Sequence, residues 1–308
     1  METVKTKAVV LRDYGAPEAL VPGEVEVGSP GPGQIRVNVA FAGVGPTDLA
    51  IRSGRLKGAF GARPGSVLGF EAAGTVDAVG PSVDDVRVGD PVAVFLPGLG
   101  GYAVQVLARY WVRVPERVGM QDAAALPASG EAAARVVDEV GVASGETVLV
   151  AGAAGSVGLI AARLAVARGA RVLAAVRPDD FALLEKAGAT PVAYGPALAA
   201  NVRAAAGPVD AVIDASGAGV LGAAVELAGG PDRVVTLSDP HAADFGVRLS
   251  GPDGPRIGRR LRDVMAALAA GGLTLRSQTV APLADAARIH RELETGGLRT
   301  KVLLSARS

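Results

Sequence analysis

Val148-Leu-Val-Ala-Gly152-Ala-Ala-Gly155-Ser-Val-Gly158-Leu-Ile-Ala161 is the stretch on which the fold turns. An apolar run leads into a loop of small residues, and the loop opens a helical period expected from about Val157 to Arg168. A dinucleotide fingerprint has this setting, with a pyrophosphate lying against the loop and the positive end of the following helix. Gly155 would let the backbone approach the anion, Gly158 would let the helix pack on the strand, and the amides near Ser156 and Val157 would point toward negative charge. Gly152, Ala154, Gly155, Ser156, Val157 and Gly158 are therefore the expected cradle. Ala153 stands where the usual pattern has its first glycine, so a glycine-rich turn without a ligand is the competing reading.

Downstream, strands and helices alternate. Arg171–Val176, Pro191–Tyr194, Val209–Ala215 and Arg233–Leu237 read as strands, with helices expected over Asp179–Ala187, Ala197–Ala206 and Val220–Leu227 between them. Nearly continuous apolar strands separated by helices indicate a parallel sheet covered on both faces, a doubly wound nucleotide-binding domain. The tip of the second strand selects the cofactor, because an acid there bonds a ribose 2′-hydroxyl whereas a cation can pair with a 2′-phosphate. Arg177 occupies that tip, and Asp179 and Asp180 are placed to cap the next helix, so NADPH is expected over NADH. An ordinary solvated arginine is the alternative for Arg177.

Upstream, short strands are separated by Gly/Pro turns: Lys7–Leu11, Gln34–Ala40, Ala72–Val79, Pro91–Phe95 and Trp111–Val114. Ile35, Val37 and Val39 alternate with polar neighbours, as a half-buried strand does. This half is expected to be antiparallel and partly barrel-like. The tail has a helix near Arg259–Ala269, a strand Thr274–Val280, a helix Leu283–Glu294 and a strand Lys301–Leu304. It breaks the parallel series and is expected to return to the first half. One domain is thus expected over residues 1–121, completed by 255–308, and a second over 122–254.

Composition narrows the chemistry. The 308 residues include 31 basic and 31 acidic side chains, two histidines and no cysteine. Disulfides, thiolate-bound zinc, iron–sulfur clusters and cysteine nucleophiles are excluded, and no metal site is expected. A formal net charge of zero supplies no long-range field for nucleic acid. The basic run Arg256, Arg259, Arg260 and Arg262 has Asp253 and Asp263 beside it and reads as a solvated helix face. No stretch approaches the ~18 apolar residues of a membrane span, and no apolar leader follows Met1–Lys7. No nucleic acid, no membrane and a cytoplasmic location are expected.

The chain resembles the medium-chain dehydrogenase/reductase superfamily, in its zinc-free quinone oxidoreductase and enoyl reductase branch. The landmarks are Gly43-Val-Gly-Pro-Thr-Asp48 with Ile51-Arg-Ser-Gly54, Pro64-Gly-Ser-Val-Leu-Gly-Phe-Glu71-Ala-Ala-Gly, Val88-Gly-Asp90, Gly101-Tyr-Ala, Ala124-Ala-Leu-Pro127 and the Gly152–Gly158 loop. The resemblance implies an α/β protein with a GroES-like β-rich catalytic domain, a Rossmann doubly wound domain, an active site in the cleft between them, and a homodimer. Where zinc-dependent relatives carry Cys and His, this chain has Gly45 and Phe70. The implied reaction is hydride transfer from NADPH to a small-molecule acceptor, an activated C=C bond or a quinone. Polar residues that the branch often carries are replaced at Gly45, Ala50, Leu56 and Ala132. An NADPH-binding protein without reductase activity is therefore the alternative.

Several polar groups have two readings each. Asp48 and Arg52 are a catalytic pair, with Arg52 polarising a carbonyl oxygen, or an ion pair that fixes a loop. Glu131 faces the nicotinamide or favours a helix N-terminus. His241, beyond the fifth strand, is a general acid or a solvated loop residue. His290 is expected on a helix surface, and Glu71 and Asp90 are expected to be structural. Tyr194 lies where the branch often has a tyrosine near the adenosine phosphate, or is an edge-strand aromatic. Ser216, Gly217, Leu237 and Ser238 are implied to flank the nicotinamide. Phe41, Phe60, Phe70 and Phe95 are substrate walls or core.

Overall fold

A hairpin of β1 (Thr3–Leu11) and β2 (Leu20–Gly28) starts the chain in the computed structural model, which describes residues 3–306. Then follow β3 (Ile35–Val44), α1 (Pro46–Arg52), β4 (Glu71–Val79), β5 (Pro91–Phe95), β6 (Gln105–Ala108), β7 (Tyr110–Arg113), α2 (Met120–Ala124) and α3 (Pro127–Glu139). Strands β3, β4, β5 and β7 pair antiparallel in that order, and β6 pairs with β3. Register shifts beside Arg36/Val37 and Val39/Phe41 bend β3 against β4, as bulges do in curved sheets.

The alternating series comes next: β8 (Thr147–Ala151), α4 (Ser156–Ala167), β9 (Arg171–Val176), α5 (Phe181–Lys186), β10 (Thr190–Ala193), α6 (Leu198–Ala206), β11 (Ala211–Asp214), α7 (Leu221–Ala228), β12 (Val234–Thr236) and β13 (Arg248–Leu249). Every pairing in this sheet is parallel, in the order β10-β9-β8-β11-β12-β13. Counted by appearance that is 3-2-1-4-5-6, the order of dinucleotide-binding sheets, with the strand order reversing at β8. After α8 (Gly254–Ala269), β14 (Gln278–Pro282), α9 (Ala286–Glu294) and β15 (Lys301–Ser305) return to the first sheet, where β15 pairs antiparallel with β3. The fold is α/β, as expected.

Residues up to Ala128, with those from Ser277 onward, form one compact unit, and Ser129–Arg276 form the other. These limits differ from the expected 121/122 and 254/255. Helix α8 belongs to the second unit because Arg260 donates to Glu131 Oε1 at 3.1 Å. The segment after it is held there too, Arg163 on α4 donating to the Gly272 carbonyl through Nη2 at 2.9 Å and Nε at 3.1 Å. Each unit has its own core: Leu11, Ile35, Val37, Leu68, Val92 and Leu304 in the first, Leu149, Leu173, Val202, Val212, Leu221 and Val234 in the second. Burying each such side chain contributes about 1.5–3 kcal/mol, so each unit is stabilised by a core of its own. Among the described residues no helix is long and apolar enough to cross a membrane.

Candidate functional site

The Gly152–Gly158 loop leaves the carboxyl end of β8, the first strand of the parallel sheet, and Gly155 caps α4. Gly152 has φ +73°, and a Cβ there would lie 3.0 Å from the Cα and Cβ of Ser216. A Cβ on Gly158 would lie 2.8 Å from Ala153 Cα and 2.9 Å from the Gly152 carbonyl carbon. Both positions are closed to larger side chains by neighbours rather than by turn preference alone. Gly155 differs, since a Cβ there would meet only the Gly152 carbonyl oxygen, at 3.3 Å, and the residue is exposed. The loop is tight beneath and open above, the shape a phosphate needs to reach the first-turn amides of Ser156 and Val157. From behind, the Arg276 guanidinium donates to the Ala154 carbonyl.

The neighbouring strand ends converge on this loop. Asp214, wholly buried at the end of β11, accepts from the Ser216 N–H at 2.9 Å, the Ser216 hydroxyl at 2.6 Å and the Gly217 N–H at 3.2 Å. Gly217 has φ +59°, and a Cβ on it would strike Ser238. The Leu237 N–H donates to the Asp214 carbonyl at 3.1 Å, and the Tyr194 hydroxyl donates to the Ala218 carbonyl at 3.2 Å. The structure thus gathers Gly152, Tyr194, Ser216, Gly217, Leu237 and Ser238 at one end of the sheet. Arg177, directly after β9, is 66% exposed and lies 4.0 Å from Asp180. His241, 69% exposed, pairs its Nδ1 with Asp244 at 3.1 Å.

The other polar candidates have partners that the sequence did not suggest. Asp48 and Arg52 form no pair. Asp48 caps α1 by accepting from the Gly45 N–H at 2.9 Å and reaches across to the Gly69 N–H at 3.0 Å. Arg52 is buried and donates to the Gly15 carbonyl and to Glu294. Glu131 does not stand at a helix start, because α3 begins at Pro127, four residues earlier. Its carboxylate is wholly buried between Arg135 at 3.2 Å and Arg260 at 3.1 Å, with Arg135 also bonded to Ser250. Glu71 accepts from Lys301 and, at 2.8 Å, from the Ala128 N–H, in keeping with a structural residue.

His290 corrects the expected surface position. It is wholly buried, its Nε2 3.1 Å from the Tyr102 hydroxyl and the two rings edge to face. Ala286, Ile289 and His290 share the buried face of α9 at i, i+3, i+4 spacing, which explains the placement. Burial, and secondarily the Arg52 charge, pushes the imidazole down to about 3. Burial also pushes Asp48 up to about 7, against the pull of the Gly45 and Gly69 amides and Lys301. Tyr102 is raised by burial and then by Asp48.

The two shifts act on stability in opposite directions. Between 3 and its ordinary 6.5, His290 is neutral in the folded chain and protonated in the unfolded one, so its contribution is lost as pH falls through that window. Between its ordinary 3.8 and 7, Asp48 holds its proton only when folded, so its contribution is lost as pH rises. Over the shared range the slopes offset each other. Asp48→Asn should unmask the histidine: urea midpoints followed from neutral pH downward should fall more steeply below about 6.5 than in the parent protein. Parallel profiles for the two proteins would contradict this pairing of shifts.

The chain combines an antiparallel β unit with a 3-2-1-4-5-6 parallel sheet that carries a glycine loop at its first strand end, the strand order and loop of dinucleotide-binding domains. The family described as the alcohol dehydrogenase GroES-like domain matches residues 31–158. A 2-haloacrylate reductase from Burkholderia sp is 37% identical over 180 residues, 57% of this chain and 54% of that protein. A quinone oxidoreductase from Pseudomonas aeruginosa is 35% identical over 185 residues, 58% of this chain and 55% of that protein. The chain therefore matches about half the length of these curated relatives. A quinone oxidoreductase structure from Coxiella burnetii superposes with TM-score 0.83 at 25% identity, over 99% of this chain and 100% of that one. In sequence and in fold the chain is similar to the quinone oxidoreductases of the medium-chain dehydrogenase/reductase superfamily. Oxidoreductases of this superfamily bind a nicotinamide cofactor.

Asp214, Thr236 and Arg276 are the residues at the sheet end that the sequence did not mark. For Asp214 a signal existed, a lone carboxylate closing the apolar run Ala211-Val-Ile. Arg276 carried none, because its partner lies 122 residues away.

Proposed function

We propose that this protein is a zinc-independent, NADPH-dependent reductase of activated C=C bonds or quinones. The observation that carries the reading is the Gly152–Gly158 loop, closed beneath by Gly158 and open at Gly155, at the carboxyl end of the first strand of the sheet. The residues fit the cofactor. The loop and the Ser156 and Val157 amides would hold the pyrophosphate, and Arg177 the 2′-phosphate. Tyr194 would lie toward the adenosine side, and Ser216, Gly217, Leu237 and Ser238 toward the nicotinamide. When bound, the nicotinamide supplies the reducing equivalent. Gly45 and Phe70, which offer no ligand, in a chain without cysteine, support zinc independence. The conjugated acceptors named for the Burkholderia and Pseudomonas relatives support an acceptor that delocalises charge without a Lewis acid.

The proton is the less provided half of the reaction. Asp48, Arg52 and Glu131 are buried and committed to partners within their own units, which leaves solvent or His241 as the source. The same commitment supports a second reading, a cofactor-binding protein that reduces nothing. Mixing the NADPH-loaded chain with quinones, enones and 2-haloacrylates and following NADPH absorbance separates the two. Turnover on a conjugated acceptor, insensitive to chelators, is expected; tight binding with no turnover across the panel favours the second reading. A homodimer built by pairing the β13 edges is also proposed, since Leu249 on that short strand is exposed.

Arg177→Glu addresses the cofactor preference. Losing a charge-assisted bond of about 1.5–3 kcal/mol should weaken NADPH about 10–100-fold and leave NADH nearly unchanged. Equal changes for both dinucleotides in a calorimetric titration would remove Arg177 from the 2′-phosphate site.

A further inference from the structure

Asp214 is a buried carboxylate with no use for the core that surrounds it. It ends the apolar strand β11, and both of its oxygens are engaged. Oδ1 collects the Ser216 N–H, the Ser216 hydroxyl and the Gly217 N–H; Oδ2 accepts the Thr236 hydroxyl at 2.8 Å. Thr236, the last residue of β12, uses the same oxygen to accept the Asp239 N–H at 3.2 Å. Asp239, itself buried, then accepts the His241 N–H at 2.9 Å. One carboxylate therefore sets the turn after β11 and, through one hydroxyl, the turn after β12.

The coupling reaches the glycine loop as well. Ser216, fixed by two bonds to Asp214, is the residue that a Cβ on Gly152 would meet at 3.0 Å. Gly217 rests against Ser238, so the two turns also touch each other. Burying a carboxylate is costly unless its donors are placed to receive it, and an apolar residue of similar size would suit the strand better. The four hydrogen bonds that offset this cost all come from turns at the ligand end of the sheet, or from the strand that feeds one of them.

We infer that Asp214 is the positioning residue for the nicotinamide half of the cofactor site, acting through Ser216 and Thr236. This rests on the dinucleotide reading above. The Gly155 face and Arg177, which would hold the adenosine half, bond to none of Asp214, Ser216 and Thr236; the one thread to that side is the Tyr194 hydroxyl on the Ala218 carbonyl, in the turn after β11 and not the one after β12. Loss of the network should thus separate the two halves, which a general loss of stability would not do.

The test uses two ligands, NADPH and ADP-ribose 2′-phosphate, which is NADPH without its nicotinamide. Dissociation constants are measured by calorimetry for the parent chain, Asp214→Asn, Thr236→Val and Thr236→Ser. Asp214→Asn keeps the shape but loses an acceptor; Thr236→Val removes only the link between the turns, and is the informative variant should Asp214→Asn not fold. In Thr236→Val, NADPH should weaken about 10-fold toward the affinity of the fragment, with the fragment itself unchanged within about 2-fold. Thr236→Ser, which restores the hydroxyl, should restore NADPH affinity. Unchanged NADPH affinity in Thr236→Val, or equal weakening of both ligands, overturns the inference while leaving the dinucleotide reading intact. A parent chain that binds neither ligand overturns both.

Discussion

Glu131→Ala is expected to destabilise the Ser129–Arg276 unit by about 3–5 kcal/mol, the cost of leaving buried charge without its partner. Glu131 lies between two guanidinium groups that are themselves buried, those of Arg135 and Arg260. The remaining acids near Arg260, Asp138 and Asp253, are partly exposed and stand 3.5 Å away. They cannot take over at full strength. Arg260 also keeps one buried nitrogen, Nη2, without a hydrogen-bond partner, so the cluster has no spare acceptor. The loss would appear as a lower urea midpoint with an unchanged slope. Removing the charges together, as Glu131→Leu with Arg135→Met and Arg260→Met, should recover much of it, since an apolar replacement of a buried ion cluster is often close to neutral. A single-variant loss below about 1 kcal/mol would show that water or rearrangement compensates the arginines.

Gly158→Ala is the second large effect, and it strikes the site itself. The added Cβ would run into main chain, Ala153 Cα at 2.8 Å and the Gly152 carbonyl carbon at 2.9 Å, where no side chain can turn aside. Helix α4 must lift from β8, carrying Ser156 and Val157 with it. The expected result is about 1–3 kcal/mol of lost stability, from overpacking, and about 100-fold weaker dinucleotide binding from misplaced amides. Gly155→Ala makes the contrast. Its Cβ meets one carbonyl oxygen at 3.3 Å, so the fold should tolerate it, yet the methyl would stand on the open face of the loop. Weakened binding at near-normal stability in Gly155→Ala would locate the ligand on that face; full binding in both variants would remove the loop from the site.

What could be read from the sequence was what repeats locally. The alternation from Thr147 onward fixed a parallel sheet, and the loop at Gly152 lies where a strand and a helix of the expected lengths meet. Strands β2, β6 and β13 have no clear strand signal in the sequence. β2 contains Pro22 and Gly23, β6 spans four residues and β13 two, too little for a period to show. Side-chain partnerships were less accessible still, because they close over long separations: 57 residues from Glu71 to Ala128, 129 from Glu131 to Arg260, 242 from Arg52 to Glu294. The short spacing of Asp48 and Arg52 suggested a pair, but α1 turns the two side chains to different partners. For His290 the sequence does hold the signal, because its spacing from Ala286 and Ile289 puts it on the apolar face of α9.

The dinucleotide site proposed at the carboxyl end of the parallel sheet should prefer a ligand that carries the 2′-phosphate. Calorimetric titration of the chain with NADPH, with NADH as comparison, tests it most directly. One site per chain with NADPH bound more tightly than NADH is the expected result. Absence of binding by both dinucleotides, or NADH bound as tightly as NADPH, would contradict it.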